Sequence, residues 1–388
     1  MAQLIAEVSR TFNEFLLLPN RTRTDCSAAT VDLSTPLSRY TAGEAPAIEL
    51  RSPFTSAIMQ AVNTPDLAIA LARNGGLSFL HHNQPVEDQA AAVRRVKDGA
   101  GAGPSEGEQR HPARLVDAAG RLRVGAGINT HDYRERVPAL LEAGADALCF
   151  DSSDGYSDWQ AQALTWVKKH HPEIPVGGGN VVDGEAFTFL AEAGADFVKV
   201  GVGGGSICIT RDQKGIGRGQ ASAVLDVAAA RDAFRERTGA YVPICSDGGL
   251  VHDYHVALAL AMGADFVMMG RFFARFDQAA GAKLPTRDGF VKEYWGEGSN
   301  RARNWQRYGQ GGRELVFEEG VDGFVPYAGD LTEGLALTVA KLRTTMVSCG
   351  STTLPEFRST ARLTLVSDQS FQESHANVAL RATPATAS

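Results

Sequence analysis

The chain has 388 residues, of which 44% are hydrophobic and 21% are charged, and its formal net charge at pH 7 is −7. This length allows one large α/β barrel domain or two ordinary domains. Charges of both signs are mixed along the chain without a long basic run, which argues against nucleic acid and anionic membranes as main partners. Small molecules are therefore the expected ligands.

The N-terminal segment and the cysteines indicate the cellular compartment. The first 20 residues carry scattered charges around a short apolar run, so neither a signal peptide nor a membrane span is expected. The five cysteines are odd in number and widely spaced, without a CxxC pair. This pattern favours reduced thiols over disulfides or a zinc site, and both features predict a cytoplasmic protein.

Strand–helix alternation begins after an N-terminal arm. Residues 1–46 carry few periodic signals and are expected to form an extended arm packed on the domain. Residues 48–76 then predict a strand followed by a helix with Thr64 as its N-cap, and residues 77–97 predict a second such pair. Strand followed by helix, twice, is the start of a parallel α/β fold.

Residues 98–112 interrupt this pattern with glycine, alanine and polar residues. Apart from proline, the segment has no apolar residue larger than alanine, which predicts a surface linker. A strand at 121–128 and a helix at 131–144 follow at once, so we interpret the linker as a connection within one domain. A boundary between two domains is the alternative.

An internal repeat is the main evidence for the fold. It occurs as AGADALCFD at 143–151, AGADFVKVG at 193–201 and MGADFVMMG at 262–270. Each copy predicts a helix that ends at glycine, an aspartate in the turn, and a short buried strand. With further strands at 175–180 and 242–249, the chain has about eight strand–helix units, which predicts a single (β/α)8 TIM barrel domain.

A doubly wound open sheet is the alternative architecture. Its usual G-x-G-x-x-G loop in the first βα turn, with an acidic residue about twenty positions later, is missing. The glycine clusters instead follow several late strands, where barrel enzymes build their active sites. The sequence therefore favours the barrel.

The segment 201–219 contains a lone cysteine, Cys208, among seven glycines. It joins the predicted sixth strand to a helix that begins near residue 220. Glycine permits a close approach of backbone N–H groups to a ligand, and a thiol held there is placed as a nucleophile. A flexible linker with a chance cysteine is the alternative.

The loops after the predicted seventh and eighth strands resemble a phosphate site. Asp247 and Gly249 follow the seventh strand, and Gly270 and Arg271 follow the eighth. In barrels these two loops commonly bind phosphate through backbone amides, and an arginine adds a bidentate donor. Ser206 offers a further hydroxyl. Because Asp247 suits the two neighbouring hydroxyls of a ribose, the thiol of the glycine-rich loop is expected to face a nucleobase.

Residues 281–325 interrupt the barrel pattern with a charged and aromatic stretch that has no helical or alternating period. We expect a mobile flap over the site. A disordered insertion is the alternative, but two tryptophans within eleven residues argue against it. A helix at 329–346 then resumes the scaffold, and residues 379–388 are expected to form a disordered tail.

Two other kinds of site are weakly indicated. His252 and His255 are spaced i, i+3 near a helix start and could ligate a metal, but no third ligand is suggested nearby. A Ser-His-Asp hydrolase lacks a nucleophile elbow in this sequence.

From about residue 16 to residue 378, the sequence resembles the IMP dehydrogenase family. The motifs that carry the resemblance are GVGGGSICITR, SDGGL, GADFVMMGRFFARF, EYWGEGS, NWQRY, EEGVDGFVPYAG and ESHANV. The flap sequence is most similar to that of the family branch known from protozoal parasites and some bacteria. The resemblance implies an NAD-dependent enzyme that oxidises IMP to XMP in guanine nucleotide biosynthesis.

The resemblance also implies a two-stage reaction. Cys208 would add to carbon 2 of the hypoxanthine, hydride would pass to NAD, and water would hydrolyse the covalent thioimidate. Arg307 and Tyr308 match the pair that activates this water, although a neutral guanidine is an unusual base. Thr210 and Glu319 match the residues that assist it.

The same motif matching implies the ligands of both substrates. Asp247 would bind the ribose hydroxyls and Glu297 the hypoxanthine ring. The phosphate would be held by Ser206, Gly249, Gly270 and Arg271. The side that faces NAD would include Asp151, Ser152, Ser153 and Asn180.

The family further binds a monovalent cation, usually potassium, through loop carbonyls. The matching positions in this chain are Gly203, Gly205 and Cys208. A neighbouring subunit would complete the site through its Glu373, Ser374 and His375. This shared site implies a homotetramer.

Most members of the family carry a pair of CBS regulatory domains where this chain has only the linker 98–112. The resemblance therefore does not extend to nucleotide regulation or octamer formation.

Two alternatives for function stay open. GMP reductase shares the barrel, the cysteine and the threonine, but it deaminates GMP with NADPH and lacks the Arg307–Tyr308 pair. A nucleotide-binding protein without catalysis would predict a lost cysteine or a broken flap.

Overall fold

Eight parallel strands close into a barrel in the computed structural model, which describes residues 2, 4–99, 114–303, 315–374, 376 and 378. Each strand pairs with the next along the chain, and the eighth pairs with the first. The strands are β1 (Phe54–Ser56), β2 (Leu77–Leu80), β3 (Gly125–Ile128), β4 (Ala147–Phe150), β5 (Val176–Val181), β6 (Phe197–Val200), β7 (Ile244–Asp247) and β8 (Phe266–Met269). The predicted TIM barrel is confirmed, and closure of the sheet rules out the open alternative.

One long helix follows each strand and packs outside the barrel. The helices are α1 (Pro65–Arg73), α2 (Val86–Asp98), α3 (Tyr133–Glu142), α4 (Asp158–His170), α5 (Gly184–Glu192), α6 (Gln220–Thr238), α7 (Asp253–Ala261) and α8 (Leu331–Ser348). The predicted N-cap of α1 is confirmed, since the Thr64 side chain accepts a hydrogen bond from the Leu67 backbone N–H. Among the described residues, no helix has the length and apolar character needed to cross a membrane.

Alternate residues of each strand point into the barrel or toward the helices. On β6, Val198 and Val200 pack in the helix-facing core, whereas Phe197 packs in a separate inner cluster. The Phe197 ring lies 5.7 Å from the rings of Phe79 and Phe266, on strands that are not its neighbours. These phenylalanines therefore meet across the barrel interior and fill it.

Glycines on β5 make room for these large side chains. A Cβ atom added at Gly177 would lie 2.1 Å from the Phe197 ring, and one added at Gly179 would lie 2.8 Å from the Lys199 Cβ. Both contacts are far shorter than van der Waals distance. Gly177 and Gly179 of β5 are thus required by the packing of β6.

The three repeat copies form equivalent turns at the N-terminal end of the barrel. Each predicted glycine has positive φ, at +97° for Gly144, +103° for Gly194 and +117° for Gly263, as a helix C-terminus of this type requires. Each following aspartate accepts a backbone N–H at 2.8 to 2.9 Å. The pairs are Asp146 with Val124, Asp196 with Val176, and Asp265 with Ile244.

Several short elements lie outside the eight strand–helix units. The N-terminal arm contains a short 3-10 helix (Phe12–Glu14) and the strand Phe15–Leu18, which pairs with Arg362–Leu365. Two small antiparallel pairs join Thr35–Pro36 with Glu49–Leu50 and Tyr40–Thr41 with Ala240–Tyr241. Short helices span Thr210–Lys214, Arg271–Ala274, Leu354–Thr360 and Asp368–Glu373.

The predicted flap contains regular structure at both ends. Three antiparallel strands form a sheet there: Lys283–Thr286, Gly289–Trp295 and Asp322–Pro326. The sequence did not reveal these strands, because the segment shows no clear alternation of apolar and polar residues. Its mobility stays a prediction. Most of the linker 98–112 and the whole tail 379–388 lie outside the described residues.

The fit between β5 and β6 can be tested by replacing Gly177 with alanine. We expect Gly177→Ala to lower the free energy of unfolding by about 1–3 kcal/mol, because the new Cβ overlaps the Phe197 ring. Gly323→Ala is the matched control, since a Cβ there meets no atom within 4 Å. Thermal unfolding of both variants measures the difference, and equal midpoints would contradict the packing argument.

Candidate active site

A cavity opens at the C-terminal ends of the barrel strands, where the loops predicted to carry the site converge. Fourteen of the predicted site residues line it. They are Asp151, Ser153, Asn180, Gly203, Gly205, Ser206, Cys208, Thr210, Asp247, Gly249, Gly270, Arg271, Glu297 and Glu319. Ser152, Glu373 and Ser374 are not among the lining residues, and Arg307, Tyr308 and His375 lie outside the described residues.

Cys208, Thr210 and Glu319 form a hydrogen-bonded chain. The Cys208 Sγ lies 3.1 Å from the Thr210 Oγ1, which donates to the Glu319 Oε2 at 3.0 Å. Because the threonine hydroxyl donates its one hydrogen bond to Glu319, its oxygen can accept a hydrogen bond from the thiol. Lys214 lies 3.4 Å from the other oxygen of Glu319. The chain therefore links the thiol to a buried carboxylate.

Backbone hydrogen bonds hold the cysteine loop against the C-terminal part of the flap. The Ile209 N–H donates to the Glu319 carbonyl, and the Val321 N–H donates to the Ile207 carbonyl, both at 3.0 Å. Cys208 and Gly320 thus face each other in an antiparallel bridge. The bridge fixes the distance between the thiol and Glu319, which are 111 positions apart in the sequence.

The glycines of the cysteine loop permit its contact with the loop after β7. Gly201 has φ +141°, and a Cβ there would lie 2.1 Å from the Asp247 carbonyl oxygen. Gly203 has φ +70°, which side chains rarely adopt. The glycine-rich sequence is therefore required by the geometry of two adjoining loops, and the alternative of an unstructured linker is wrong.

A buried ionic cluster lies at the floor of the cavity. The Lys199 Nζ is 3.1 Å from the Asp151 Oδ1 and 3.4 Å from the Asp247 Oδ2. The Asn180 Nδ2 donates to the same Asp247 Oδ2 at 2.9 Å, and the His82 Nε2 lies 3.6 Å from the other oxygen of Asp151. Sequence reasoning missed Lys199, although a lysine in an otherwise apolar barrel strand is a usable signal.

Part of the flap also contacts the loop after β1. The Glu297 Oε1 accepts the Gln60 backbone N–H at 2.6 Å, and the Trp295 indole donates to the Gln60 side chain at 3.0 Å. Tyr294 lines the cavity, and burial raises the pKa of its hydroxyl. A Cβ at Gly270 would lie 2.7 Å from that hydroxyl. Gln60 and Tyr294 are further residues that sequence reasoning missed.

The five cysteines are all free thiols, as predicted. Cys208 is half-buried at the cavity, and the other four are buried. Burial raises the pKa of Cys149 to about 12 and also raises the pKa of Cys245. These two inner thiols are therefore unreactive, and Cys208 is the thiol that a ligand in the cavity can meet.

His252 and His255, at the start of α7, have a structural role. The His255 Nδ1 accepts backbone N–H groups from Val251 at 3.1 Å and His252 at 3.4 Å, and its Nε2 lies 2.7 Å from the Asn13 Oδ1. Burial lowers the pKa of His255 to about 4. Because both ring nitrogens have partners within the chain, this geometry disfavours the metal alternative. The described ranges contain no group of three or more side chains placed to hold a metal ion.

Comparison with known proteins places the whole barrel in one family. A family model described as the IMP dehydrogenase / GMP reductase domain matches residues 9–377. The inosine-5'-monophosphate dehydrogenase of Tritrichomonas foetus is 42% identical and aligns over 97% of both chains. The enzymes of the same name from Cryptosporidium parvum and Aquifex aeolicus are 31% and 28% identical, each over 94% of both chains.

The alignments also differ in length. The one with the Tritrichomonas foetus protein extends over 489 positions, more than the 388 residues of this chain, whereas the one with the Cryptosporidium parvum protein extends over 392. Some relatives therefore contain residues that have no counterpart here. In this chain, the short connection from α2 to β3 leaves no room for a pair of extra domains.

Selective alkylation tests the exposure of the cavity thiol. We expect brief treatment of the folded protein with iodoacetamide to label Cys208 first, because the other four thiols are buried. Peptide mass spectrometry identifies the labelled residue, and Cys208→Ser serves as the control that should stay unlabelled. Rapid labelling of Cys149 or Cys245 in the native protein would contradict this assignment.

Proposed function

The chain belongs to the IMP dehydrogenase / GMP reductase family, and we propose that it catalyses the NAD-dependent oxidation of IMP to XMP in guanine nucleotide biosynthesis. One observation carries the proposal: the Cys208–Thr210–Glu319 chain lies at the mouth of a barrel that aligns along its length with inosine-5'-monophosphate dehydrogenases. A thiol beside a hydroxyl and a carboxylate can form a covalent bond to a purine and later release it by hydrolysis.

In the proposed reaction, the Cys208 thiolate adds to carbon 2 of the hypoxanthine and the hydrogen at that carbon leaves as hydride. When bound, NAD supplies the hydride acceptor. The resulting thioimidate, a covalent enzyme–XMP adduct, is attacked by water at carbon 2. The carbon–sulfur bond then breaks, with its electron pair on sulfur, and regenerates the thiolate. Arg307 and Tyr308 would take the proton that this water gives up, and Thr210 and Glu319, joined by a hydrogen bond, would assist them.

The nucleotide would span the loops after β6, β7 and β8. Asp247 accepts hydrogen bonds from the ribose hydroxyls, and Glu297 accepts one from the ring N–H of hypoxanthine. The phosphate would be bound by Ser206, Gly249, Gly270 and Arg271. In support, all of these residues line the cavity that Cys208 enters.

The residues assigned to NAD fit an amide or hydroxyl ligand. Asp151, Ser153 and Asn180 line the cavity. The Asn180 Oδ1 is buried and has no hydrogen-bond partner among the described residues, so it can accept from the carboxamide or a ribose hydroxyl of the dinucleotide. Ser152 acts indirectly, because its carbonyl accepts the Asn180 N–H at 2.9 Å.

A potassium ion and a homotetramer form part of the proposal. The loop carbonyls of Gly203, Gly205 and Cys208 would bind the ion, together with Glu373 to His375 of a neighbouring subunit. In support, Glu373 and Ser374 end an exposed helix and are not lining residues of their own chain's cavity. We further propose that the protein is cytoplasmic and has neither nucleic acid nor membrane as a partner.

Hydrolysis would use the flap. Arg307 and Tyr308 would activate the water after NADH has left the cavity, which calls for movement within the flap (281–325). Part of this segment is anchored, because Glu319 and Val321 are bonded to the cysteine loop and Trp295 to Gln60. We therefore propose that these anchored residues keep their contacts through both stages of the reaction.

The first experiment follows NADH absorbance in the near ultraviolet after the protein is mixed with IMP, NAD and potassium. We expect steady NADH formation, which Cys208→Ala lowers by at least about 1000-fold because the covalent step is lost. Oxidation of NADPH with GMP, and no NADH from IMP, would instead assign the chain to the GMP reductase side of its family. Binding of IMP with neither reaction would indicate a protein without catalysis.

A second experiment separates the two stages. We expect Arg307→Ala to keep a rapid burst of NADH equal to the active sites but to slow steady turnover by about 100-fold or more, because only hydrolysis needs the base. Intact-protein mass spectrometry should then detect the adduct on Cys208. Arg303→Ala is the control within the same segment. Equal losses in burst and turnover would remove Arg307 from the hydrolytic role.

A further inference from the structure

Lys199 is buried beneath the cavity, where it contacts two carboxylates at once. Its side chain is 1% exposed, and its Nζ lies 3.1 Å from the Asp151 Oδ1 and 3.4 Å from the Asp247 Oδ2. Asp247 is the most exposed of the three, at 19%. All three residues line the floor of the cavity, and Asp247 is the one most open to a ligand.

The alternation of the barrel strands explains why these three groups meet. On β4, the inward residue Cys149 is followed two positions later by Asp151, and on β7 Cys245 is followed by Asp247. On β6, Lys199 follows Phe197 in the same way. All three charged residues thus form the uppermost inward layer of their strands. Gly179, whose Cβ would overlap Lys199, leaves the space for it.

The cost of burial argues for a role beyond stability. Removing an ammonium group from water is unfavourable unless it is paired, and replacing a buried ion pair by apolar residues is often neutral or stabilising. Asp151 alone would suffice to pair the lysine. The additional contact with Asp247, the carboxylate assigned to the ribose, is therefore the informative one.

The orientation of the Asp247 carboxylate is set from one side. Both the Lys199 Nζ and the Asn180 Nδ2 reach the same oxygen, Oδ2, at 3.4 and 2.9 Å. Two donors on one oxygen fix the rotation of a carboxylate about its Cβ–Cγ bond and direct the second oxygen away from them. A preorganised acceptor of this kind binds a pair of neighbouring hydroxyls without first having to order itself.

We propose that Lys199 is a positioning residue for recognition of the ribose. Its ammonium group, together with the Asn180 amide, holds the Asp247 Oδ2 and so presents the Oδ1 to the 2' and 3' hydroxyls of the nucleotide. Through its second contact, with Asp151, the same ammonium joins the ribose-binding side of the cavity to the side assigned to NAD. The inference rests on the proposed function, because it takes Asp247 as the ribose ligand.

The test compares the affinity for IMP with that for 2',3'-dideoxy-IMP by titration calorimetry without NAD. We expect the wild-type protein to bind IMP about tenfold or more tightly than the dideoxy compound, as charged hydrogen bonds to hydroxyls predict. In Lys199→Met, which keeps the length and loses the charge, this preference should fall to about twofold or less. The affinity for the dideoxy compound should change little.

Two variants separate positioning from folding. Lys292→Met removes another buried lysine, whose Nζ bonds the Phe276 and Ala279 carbonyls, and it should keep the preference for IMP. The double variant Lys199→Met with Asp151→Asn removes both charges of the buried pair. It should lose the preference as well, and it provides the measurement if the single variant does not fold.

The outcomes distinguish this inference from the proposed function. If wild-type protein prefers IMP and Lys199→Met keeps the wild-type ratio, the positioning role is wrong and the proposed function is unaffected. If wild-type protein oxidises IMP but binds both compounds equally, Asp247 is not the ribose ligand and the inference also fails. If wild-type protein binds neither compound, both proposals fail together.

Discussion

The inward half of each barrel strand is the constraint on which the rest of the structure depends. A closed barrel of eight strands has little interior volume. The size of every inward side chain is therefore limited by the side chains that face it. Phenylalanines on β2, β6 and β8 fill the middle, and glycines on β5 leave the space that they need. Above this packed layer the interior meets the cavity, and only there do the strands carry charged residues inward.

The charged layer and the loops above it form one assembly. Lys199 and Asp151 are fixed by the strands, and Asp247 belongs at once to β7 and to the wall of the cavity. The cysteine loop lies on top and contacts the loop after β7 through glycine. The position of the Cys208 thiol relative to Asp151 and Asp247 is therefore determined by the rigid barrel, which is the condition for an organised site.

The flap also contacts this rigid base at several places. Its C-terminal part pairs with the cysteine loop and brings Glu319 to Thr210, while its N-terminal part bonds the loop after β1. Both ends are thus tied to the barrel. These contacts hold Glu319 beside Thr210 and Trp295 beside Gln60.

The sequence by itself determined the barrel and the order of its strands, and it identified fourteen of the residues that line the cavity. These features depend on local signals, namely the glycine and aspartate turns of the repeat, the strand–helix alternation and the glycine clusters at strand ends. The motifs around Cys208, Asp247 and Gly270 added the family and its expected chemistry. Each of these signals lies within about ten neighbouring positions, where backbone geometry and residue type are directly linked.

Only the tertiary structure decided how distant residues act on one another. The contact of Lys199 with two carboxylates depends on three strands that are separated along the chain by about fifty residues each. The flap strands Gly289–Trp295 and Asp322–Pro326 pair across the site, and their pattern alone did not reveal them. The role of Gly177 follows from a phenylalanine on the next strand. In each case the deciding interaction is non-local, because packing and ion pairing depend on distances in space and leave no period in the sequence.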